Sequence, residues 1–201
     1  MVGAATHIKT SLYVKMSNVE AAFKNLHQDL LDGCKTGDQK AQFQIYKLYY
    51  KAMYNTSLRI VTDTMEAEDI MQESFLAAFE KIDTYSGTVS FGAWLKKIVV
   101  NRSLDALNKK KAVFEDIDAH VGIRDDSGDD TERHEELDVR VEEVKEAIER
   151  LPDGYRVILS LYLLEGYDHD EIAEILSINS STSRSQLSRA KQKLIVELKG
   201  K

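Results

Sequence analysis

The chain has 201 residues, of which 43% are apolar, and its formal net charge is −7 at pH 7. This length fits one large domain or two small ones, and the single cysteine, Cys34, excludes a disulfide framework and a cysteine-based zinc site. The sequence shows neither an apolar stretch of about 20 residues nor the apolar core of a signal peptide, so we expect a cytoplasmic protein without a membrane span.

The first part of the chain is predicted to be helical after a short disordered N-terminus, residues 1–17. One proline and ten glycines in the whole chain are typical of an almost wholly helical protein. An amphipathic helix is expected over Asn18–Leu31, ended by Gly33 and Gly37, and a second helix over Ala41–Ile60. The apolar positions of the second helix are Ile45, Leu48, Tyr49, Ala52 and Met53. We interpret the tyrosines of this helix as packing and interface groups.

A helix with an acidic outer face is predicted over Met65–Ile82. Its inward positions are Ile70, Phe75, Ala78, Phe79 and Ile82. Its outward positions are Glu66, Asp69, Gln72, Glu73 and Glu80. A solvated surface and a docking surface for a basic partner both explain this face. General acid–base catalysis does not, because no nucleophile or proton acceptor accompanies the carboxylates.

A predicted loop over Asp83–Ser90 leads into a basic helix that runs from Phe91 to Lys111. Aromatic residues lie in the loop and at the start of the helix, and cations gather on the polar side of the helix. Cations that follow a phosphate backbone and rings that stack on unpaired bases are typical of single-stranded nucleic acid binding. Trp94 also suits the role of a core anchor, and the sequence leaves both roles open.

Charge is segregated along the chain. Between Phe91 and Lys111 six cations stand against one acid, and after Thr182 six cations again stand against one acid. The segment Ala112–Asp138 between them is acidic and has little apolar surface to bury. We therefore predict a flexible acidic linker between two basic segments, which the net charge hides.

Helical spacing returns after the linker, over Leu137–Leu151. A turn at Leu151–Gly154 follows, and then a strongly apolar helix over Tyr155–Leu164 that stops at Gly166. The apolar positions of the first of these helices are Val141, Val144 and Ile148. We expect the second helix to form the floor beneath the segment that comes next.

The last segment has the pattern of two helices joined by a tight turn. Asp168 and Glu171 have the spacing of a capping box, and Asn179 or Ser180 can cap the second helix. The buried face of the second helix is predicted to hold Leu187, Ala190, Leu194 and Leu198. Its opposite face carries Ser181, Ser185, Ser188, Arg189 and Gln192, with Arg184 on the flank. This pattern indicates a helix-turn-helix that reads the major groove, and the alternative is a helical hairpin with a solvated face.

The order of these segments resembles the extracytoplasmic-function (ECF) group of bacterial sigma factors, which keep regions two and four of the sigma-70 family. The segments that carry the resemblance are AEDIMQESF, FGAWLKKIVVNRSLDAL, LPDGYRVILSLYLLEGYDHDEIAEIL and TSRSQLSRAKQKL. The resemblance covers about residues 27–111 and 137–198. It implies an all-α fold of two small helical domains, with region two over 18–111, the acidic linker over 112–136 and region four over 137–201.

The resemblance implies a factor that gives RNA polymerase its promoter specificity. Its expected partners are core RNA polymerase and promoter DNA, with no cofactor, metal or small-molecule substrate, and the existence of an anti-sigma factor stays open. Contacts with core polymerase are implied for Asp69, Gln72, Glu73 and Phe75. Recognition of the minus-ten element is implied for Tyr85, Phe91, Trp94, Lys97, Asn101, Arg102, Asp105, Asn108 and Lys109. Recognition of the minus-thirty-five element is implied for Thr182, Arg184, Ser185, Ser188, Arg189, Lys191 and Lys193.

The chain departs from the family pattern in its last two helices. Glycine and valine are usual where this chain has Ser181 and Ser183, and an aromatic residue is commoner at His169. Ser183 extends the predicted buried stripe backwards, so a hydroxyl there loosens the start of the reading helix or bonds to the backbone. These departures leave the promoter sequence undetermined.

Two other classes of protein fit the sequence less well. A helix-turn-helix regulator that binds duplex DNA without joining the polymerase gives no reason for the segment Met65–Lys111. An enzyme is disfavoured, because the five histidines are scattered, no phosphate-binding loop occurs and no nucleophile has a plausible base beside it.

Overall fold

The computed structural model describes residues 27–115 and 141–199, which are helical and contain no strand. The N-terminal half (27–115) contains α1 (Gln28–Lys35), α2 (Gln39–Val61), α3 (Thr64–Glu80), a 3-10 turn (Ile82–Thr84) and α4 (Phe91–Glu115). The C-terminal half (141–199) contains α5 (Val141–Glu149), α6 (Asp153–Leu159), a π-helical turn (Ser160–Leu164), α7 (His169–Leu176) and α8 (Ser180–Lys199). The predicted all-α class is confirmed. The predictions for residues 1–17, for the start of the first helix and for the linker beyond Glu115 lie outside the described residues.

Side-chain caps fix where α2 and α3 begin. The carboxylate of Asp38 accepts a hydrogen bond of 2.8 Å from the amide of Lys40, and that of Asp63 accepts one of 2.9 Å from the amide of Glu66. Each bond satisfies an amide that has no partner inside its helix. The amide of Glu66, aided by the charge of Lys110, also lowers the pKa of Asp63 below its ordinary value.

Gly33 does not end the first helix, contrary to the prediction. The helix α1 continues through Gly33 to Lys35, and the chain turns at Gly37, where φ is +78°. A Cβ atom on Gly33 would lie 2.7 Å from the Cβ atom of Ala41 in α2. The glycine is therefore needed for the close approach of two helices, while Gly37 supplies the left-handed turn.

The helices α2, α3 and α4 enclose a core in the N-terminal half, with Ile45, Met53 and Leu95 among its most buried residues. Tyrosines of α2 pack onto this core, with the rings of Tyr46 and Phe75 4.9 Å apart. Two apolar positions predicted for the buried face are exposed instead, namely Leu48 and Ala52. The long helix α2 is covered on part of its circumference only, so these positions fall on its open side.

The helix α4 is longer than predicted. It runs to Glu115, four residues beyond the boundary expected at Lys111. The predicted linker therefore begins within the last turn of α4. The lysine run at residues 109–111 lies inside the helix and does not end it.

The apolar helix before the helix-turn-helix forms the floor of the C-terminal half. Ile158, Leu159 and Leu161 are 0–1% exposed and contact the cluster that contains Leu187 and Leu194 of α8. The helix begins at Asp153, earlier than predicted, and its last turn widens into the π-helical turn. Val141 was predicted on the buried face of α5 but is 63% exposed, because it begins that helix beyond the edge of the core.

The two halves pack against each other over a shared core. Ile60 and Val100 of the N-terminal half belong to the same buried cluster as Ile148 and Ile158 of the C-terminal half. The guanidinium group of Arg156 is 5% exposed, and its Nη2 atom lies 2.7 Å from the carboxylate of Asp153. The same nitrogen donates a hydrogen bond of 2.9 Å to the carbonyl of Ile60 in the last turn of α2. Within the described ranges, none of the helices is long and apolar enough to cross a membrane.

Candidate nucleic-acid and partner interfaces

The outer face of α3 presents the residues predicted for docking on core polymerase. Asp69, Gln72 and Glu73 are all exposed on this helix. Met65 lies one turn before Asp69 and is 76% exposed, and Leu76 lies one turn after Gln72 and is 64% exposed. We call Met65, Asp69, Gln72 and Leu76 the docking stripe, since spacings of four, three and four residues place them on one side of a helix. The two apolar members were not predicted from the sequence, although this spacing signals them.

Phe75 does not belong to this surface. Its side chain is 2% exposed, and its ring lies 4.9 Å from that of Tyr46 and 6.0 Å from that of Phe79. The inward position that helical spacing predicts for Phe75 is therefore confirmed, while the polymerase contact that the resemblance implies for it stays a prediction. Its position in the aromatic core instead holds α3 against α2 from beneath.

Ion pairs connect α3 to the basic helix α4. Arg102 Nη1 lies 2.8 Å from the carboxylate of Glu73, and Lys110 Nζ lies 2.5 Å from that of Glu66. These residues and Asp69 line a groove of about 500 Å³ between the two helices. Glu73, which is predicted to dock on the polymerase, thus forms an ion pair with Arg102, which is predicted to read the minus-ten element.

The aromatic residues before and within α4 form one cluster. The ring centroids of Tyr85, Phe91 and Trp94 lie 5.5–5.6 Å from one another. Phe91 is only 4% exposed, so this structure presents little of its ring for the DNA contact that the resemblance implies. Tyr85 and Trp94 are partly exposed above it and are the members that an unpaired base can reach.

The loop that carries Tyr85 is held by local hydrogen bonds. The hydroxyl of Tyr85 donates a bond of 2.7 Å to the carbonyl of Val89, and the turn between them uses Gly87 with φ at +73°. Ser90 then caps α4, since its hydroxyl oxygen accepts a bond of 3.2 Å from the amide of Ala93. Burial raises the pKa of Tyr85, which favours the protonated, donating form of its hydroxyl.

The exposed polar side of α4 contains Lys97, Asn101, Asp105 and Asn108, which we call the minus-ten face. Spacings of four, four and three residues place these side chains in one row. Lys109 is exposed beside them, and Arg102 lies on the flank toward Glu73. The structure therefore brings the predicted polar minus-ten residues together on one helix.

The helix-turn-helix forms as predicted, and its caps are in place. Asp168 and Glu171 make the capping box of α7. That helix ends at Leu176, and the next residue, Ser177, turns the chain with a φ of 54°. The side chain of Asn179 accepts a hydrogen bond of 2.7 Å from the amide of Thr182 and so starts α8. Of the two predicted caps for α8, Asn179 is the one that acts.

The outer side of α8 carries the predicted minus-thirty-five residues. Arg184, Ser185, Ser188 and Arg189 are exposed there, and we call them the minus-thirty-five face. Thr182 is partly exposed at the start of the helix, and Lys191 and Lys193 are exposed in its second half. The ammonium group of Lys191 lies 5.4 Å from the ring centroid of Tyr162, a cation–π contact within the protein.

Two of the departures from the family pattern explain each other. Ser183 is fully buried, and its hydroxyl shares a hydrogen bond of 3.0 Å with Nδ1 of His169 at the start of α7. The imidazole ring stacks on Tyr162 at 5.1 Å between centroids. The next residue, Asp170, accepts a second hydrogen bond from the hydroxyl of Ser180. The first turn of α7 therefore holds the first turn of the reading helix, and the buried hydroxyl has its partner.

The two halves match two different parts of one protein family. Residues 45–113 match the sigma-70 region 2 family, and residues 141–194 match the sigma-70 region 4 family. A chain that carries region 2 followed by region 4 has the architecture of a sigma-70-type factor.

Similar proteins show which group of sigma-70-type factors the chain belongs to. The ECF RNA polymerase sigma factor SigW of Bacillus subtilis is 30% identical over 174 residues, which cover 82% of this chain and 92% of that protein. The ECF RNA polymerase sigma-E factor of Haemophilus influenzae is 30% identical over 173 residues, which cover 82% and 91%. The chain belongs to the ECF RNA polymerase sigma factors.

Solved structures agree with the helical fold. The sigma factor RpoE in complex with the anti-sigma factor NepR from Bartonella quintana matches with a TM-score of 0.55 and 23% identity, covering 78% of this chain and 95% of that one. CnrH in complex with the cytosolic domain of CnrY matches with a TM-score of 0.52 and 20% identity, covering 85% and 96%. At these identities the likeness concerns the fold.

Proposed function

We propose that this sigma factor binds core RNA polymerase through the docking stripe and Glu73, and that it contacts both promoter elements through separate helices. One observation carries the proposal: the chain holds a mixed acidic and apolar docking face, an aromatic–polar face and a helix-turn-helix on three different helices. The division of roles corresponds to regions two and four as domains, about 18–111 and 137–201. The chain catalyses no reaction of its own, and it acts in the cytoplasm, where the polymerase and its template are.

The minus-ten face and the aromatic loop are proposed to hold a separated DNA strand. Tyr85 and Trp94 offer ring faces to an unstacked base, and Asn101 and Asn108 offer amide groups to base edges. Extruding a base costs a few kcal/mol, which stacking and edge contacts offset. The ordered loop favours this role, because Tyr85 is already held in position before DNA arrives.

The minus-thirty-five face is proposed to read duplex DNA in the major groove. Arg184 or Arg189 can bind guanine through two parallel hydrogen bonds, and the serines between them let the helix approach the bases. Lys193 offers a point charge without a planar fork and is assigned to phosphate. Lys191, which contacts the ring of Tyr162, is assigned to phosphate as well.

The docking stripe favours a polymerase-bound factor over a stand-alone regulator. A regulator that works alone has no use for Met65 and Leu76. These two large apolar side chains are exposed one turn before Asp69 and one turn after Gln72. Exposed apolar groups rimmed by polar ones mark protein interaction sites. We also propose an anti-sigma protein as a further partner, since the RpoE complex named above contains one.

The test is transcription in vitro from a library of genomic fragments, with purified core polymerase and with or without this protein. We expect new transcripts that start at a common distance downstream of two shared sequence elements. The control replaces this protein with the Asp69→Lys, Glu73→Lys double variant at the same concentration. Two results together would support the stand-alone regulator. The protein would bind duplex fragments specifically without polymerase, and adding it to polymerase would leave the transcripts unchanged.

A further inference from the structure

A small cavity lies between α2 and the C-terminal half and shares no lining residue with the three faces described above. Its volume is about 220 Å³. An apolar cavity of about 150 Å³ can hold benzene, so this one has room for a slightly larger organic molecule. The lining residues are Asn55, Leu58 and Arg59 from α2, Lys145, Ile148 and Glu149 from α5, and Ser160 and Leu164 from the π-helical turn.

The wall of this cavity contains a buried hydroxyl without a partner. Ser160 is fully buried, and its Oγ atom makes no hydrogen bond within the part of the chain that the structure describes. Ser160 begins the π-helical turn, in which the amide of Glu165 donates a bond of 2.9 Å to the carbonyl of Ser160. An unpaired buried hydroxyl is destabilising, and π-helical turns are frequent at functional sites. A ligand whose polar group bonds to Ser160 accounts for both features.

The charged side chains of the cavity favour a ligand with a single negative charge. Arg59 and Lys145 contribute two positive charges, and Glu149 contributes one negative charge. Arg59 binds the carboxylate of Glu165 through Nη1 at 2.6 Å, and a guanidinium group has further N–H donors besides this one. The ammonium group of Lys145 lies 3.6 Å from the carboxylate of Glu142, and this pair is exposed enough to be exchanged at little cost. A carboxylate matches these donors better than a doubly charged phosphate, which Glu149 would repel more strongly.

The rest of the wall is apolar. Ile148 is 2% exposed, and Leu58 and Leu164 are partly buried beside it. An ion such as acetate or inorganic phosphate is too small to cover these side chains. Binding sites for small molecules combine an apolar lining with a few polar groups that orient the ligand. The cavity therefore suits a molecule that carries its charge at one end and an apolar body at the other.

We propose that this cavity is a binding site for a small monocarboxylic acid with an apolar body, of about the size of benzoate. The carboxylate accepts hydrogen bonds from Arg59, Lys145 and the hydroxyl of Ser160, and the body lies against Leu58 and Ile148. Because the lining comes from both halves, the bound acid stabilises the folded chain as an effector. None of the residues assigned to polymerase or DNA takes part, so the site is tested independently of the proposed function.

The first experiment measures the binding of benzoate to the full-length protein by NMR. We expect a Kd of about 1–10 mM, which is typical of a ligand with about nine heavy atoms. The ring protons should show NOEs to the methyl groups of Leu58, Ile148 and Leu164. Benzyl alcohol, which lacks the charge, and acetate, which lacks the ring, should each bind at least fivefold more weakly. NOEs to other methyl groups only, or inorganic phosphate binding as tightly as benzoate, would overturn the proposal.

Variants of the full-length protein test the polar contacts. Ser160→Ala removes an unpaired hydroxyl without adding volume, so we expect the protein to stay folded and its affinity for benzoate to fall about fivefold. Lys145→Gln should lower the affinity about threefold, because an exposed charge is lost. Its matched control is Lys40→Gln, which changes an exposed lysine that does not line the cavity. Wild-type affinity in Ser160→Ala, or equal affinities of the two lysine variants, would contradict the assignment.

Urea unfolding measures whether the bound acid stabilises the folded chain. A ligand that binds only the native state lowers the equilibrium constant of unfolding by the factor 1 + [L]/Kd. With benzoate at ten times its wild-type Kd, this constant should fall about 11-fold for the wild type and about threefold for Ser160→Ala. Sodium chloride at the same concentration is the control for ionic strength. Equal stabilisation of the two proteins by benzoate would place its binding elsewhere and overturn the proposal.

Discussion

The two candidate DNA-binding faces differ in what their cations contact inside the protein. On α4, Lys97, Arg102 and Lys110 each form an ion pair with a carboxylate of another helix. On α8, Arg184 is exposed, and no ion pair to it occurs among the described residues. The first face must exchange internal partners for phosphates, whereas this arginine of the second face is available at once. Arg184 and the paired cations of α4 thus begin DNA binding from two different states.

Breaking any one of these ion pairs on α4 costs little free energy. Arg102 and Glu73 have side chains 38% and 63% exposed, and solvent screens an ion pair of that kind strongly. DNA phosphates can therefore displace these carboxylates without a large penalty. The internal pairs delay contact on α4 and do not forbid it.

The largest expected effect concerns the docking stripe, which belongs to the N-terminal half alone. Asp69→Lys with Glu73→Lys should weaken binding to core polymerase by at least about 100-fold, because like charges replace attraction at a desolvated interface. Isothermal titration with core polymerase measures the change. Glu142→Lys with Glu143→Lys, an equal charge change on α5, should leave the affinity within about twofold. Equal losses in both double variants would show that only the net charge of the chain matters.

The next effect separates base reading from phosphate contact on α8. Arg184→Ala or Arg189→Ala should cost about 1–3 kcal/mol at particular promoter positions, since a lost bidentate contact relaxes preference for one base. Binding of holoenzyme to a library randomised over the minus-thirty-five element measures it.

Lys193→Ala is the matched control for the two arginine variants. Loss of one phosphate contact should weaken all sequences alike and reduce the salt slope by about 0.9. If both arginine variants also lose affinity uniformly, α8 positions the duplex and does not read it.

A smaller effect is expected for the pair of His169 and Ser183, which acts on the minus-thirty-five face only. His169→Phe should destabilise the protein by about 1–3 kcal/mol, because the buried hydroxyl of Ser183 loses its partner. Adding Ser183→Val should recover about 1 kcal/mol of that loss, since an apolar side chain with two methyl groups replaces an unsatisfied hydroxyl. A double-mutant cycle by urea unfolding measures the coupling, and a coupling near zero would remove the hydrogen bond from the account of how α8 is held.

The smallest effect is expected for the hydroxyl of Tyr85, which acts on the minus-ten side only. Tyr85→Phe keeps the stacking ring but removes the bond to Val89, a contact worth about 0.5–1.5 kcal/mol. Promoter opening, followed by permanganate reactivity of unpaired thymines, should slow about threefold while binding to the minus-thirty-five element is unchanged. Tyr50→Phe, which removes a hydroxyl from α2, is the comparison. A defect of equal size in Tyr50→Phe would show that the loop is not specially sensitive.

Local signals in the sequence account for the helices and for the outline of each face. The capping box at Asp168, the cap at Asn179 and the spacing of apolar residues on α8 are rules that act within a few residues. The same spacing placed Lys97, Asn101, Asp105 and Asn108 in one row. These features depend on residues close together along the chain, so they can be predicted from the sequence.

Helical spacing placed Phe75 inward, as observed, and only the resemblance assigned it to the polymerase surface. Burial of Phe91 could not be inferred in the same way, because which side of α4 is covered depends on where α2 packs. The contact of Glu165 with Thr56 joins residues 109 positions apart, and nothing local signals it. The pairing of His169 with Ser183 was likewise missed, although both residues were noted as departures.

The hydrogen bond from Arg156 to the carbonyl of Ile60 also has a consequence for biosynthesis. Translation produces the N-terminal half first, and a ribosome working at about 5–20 residues per second needs roughly 2–9 seconds to extend the chain from Lys111 to Arg156. During that interval the end of α2 lacks its guanidinium donor, and apolar groups such as Val61 and Ile70 have no C-terminal half to cover them. The newly made N-terminal half thus exposes apolar surface until the second half arrives, and truncation before Arg156 should yield an aggregation-prone fragment.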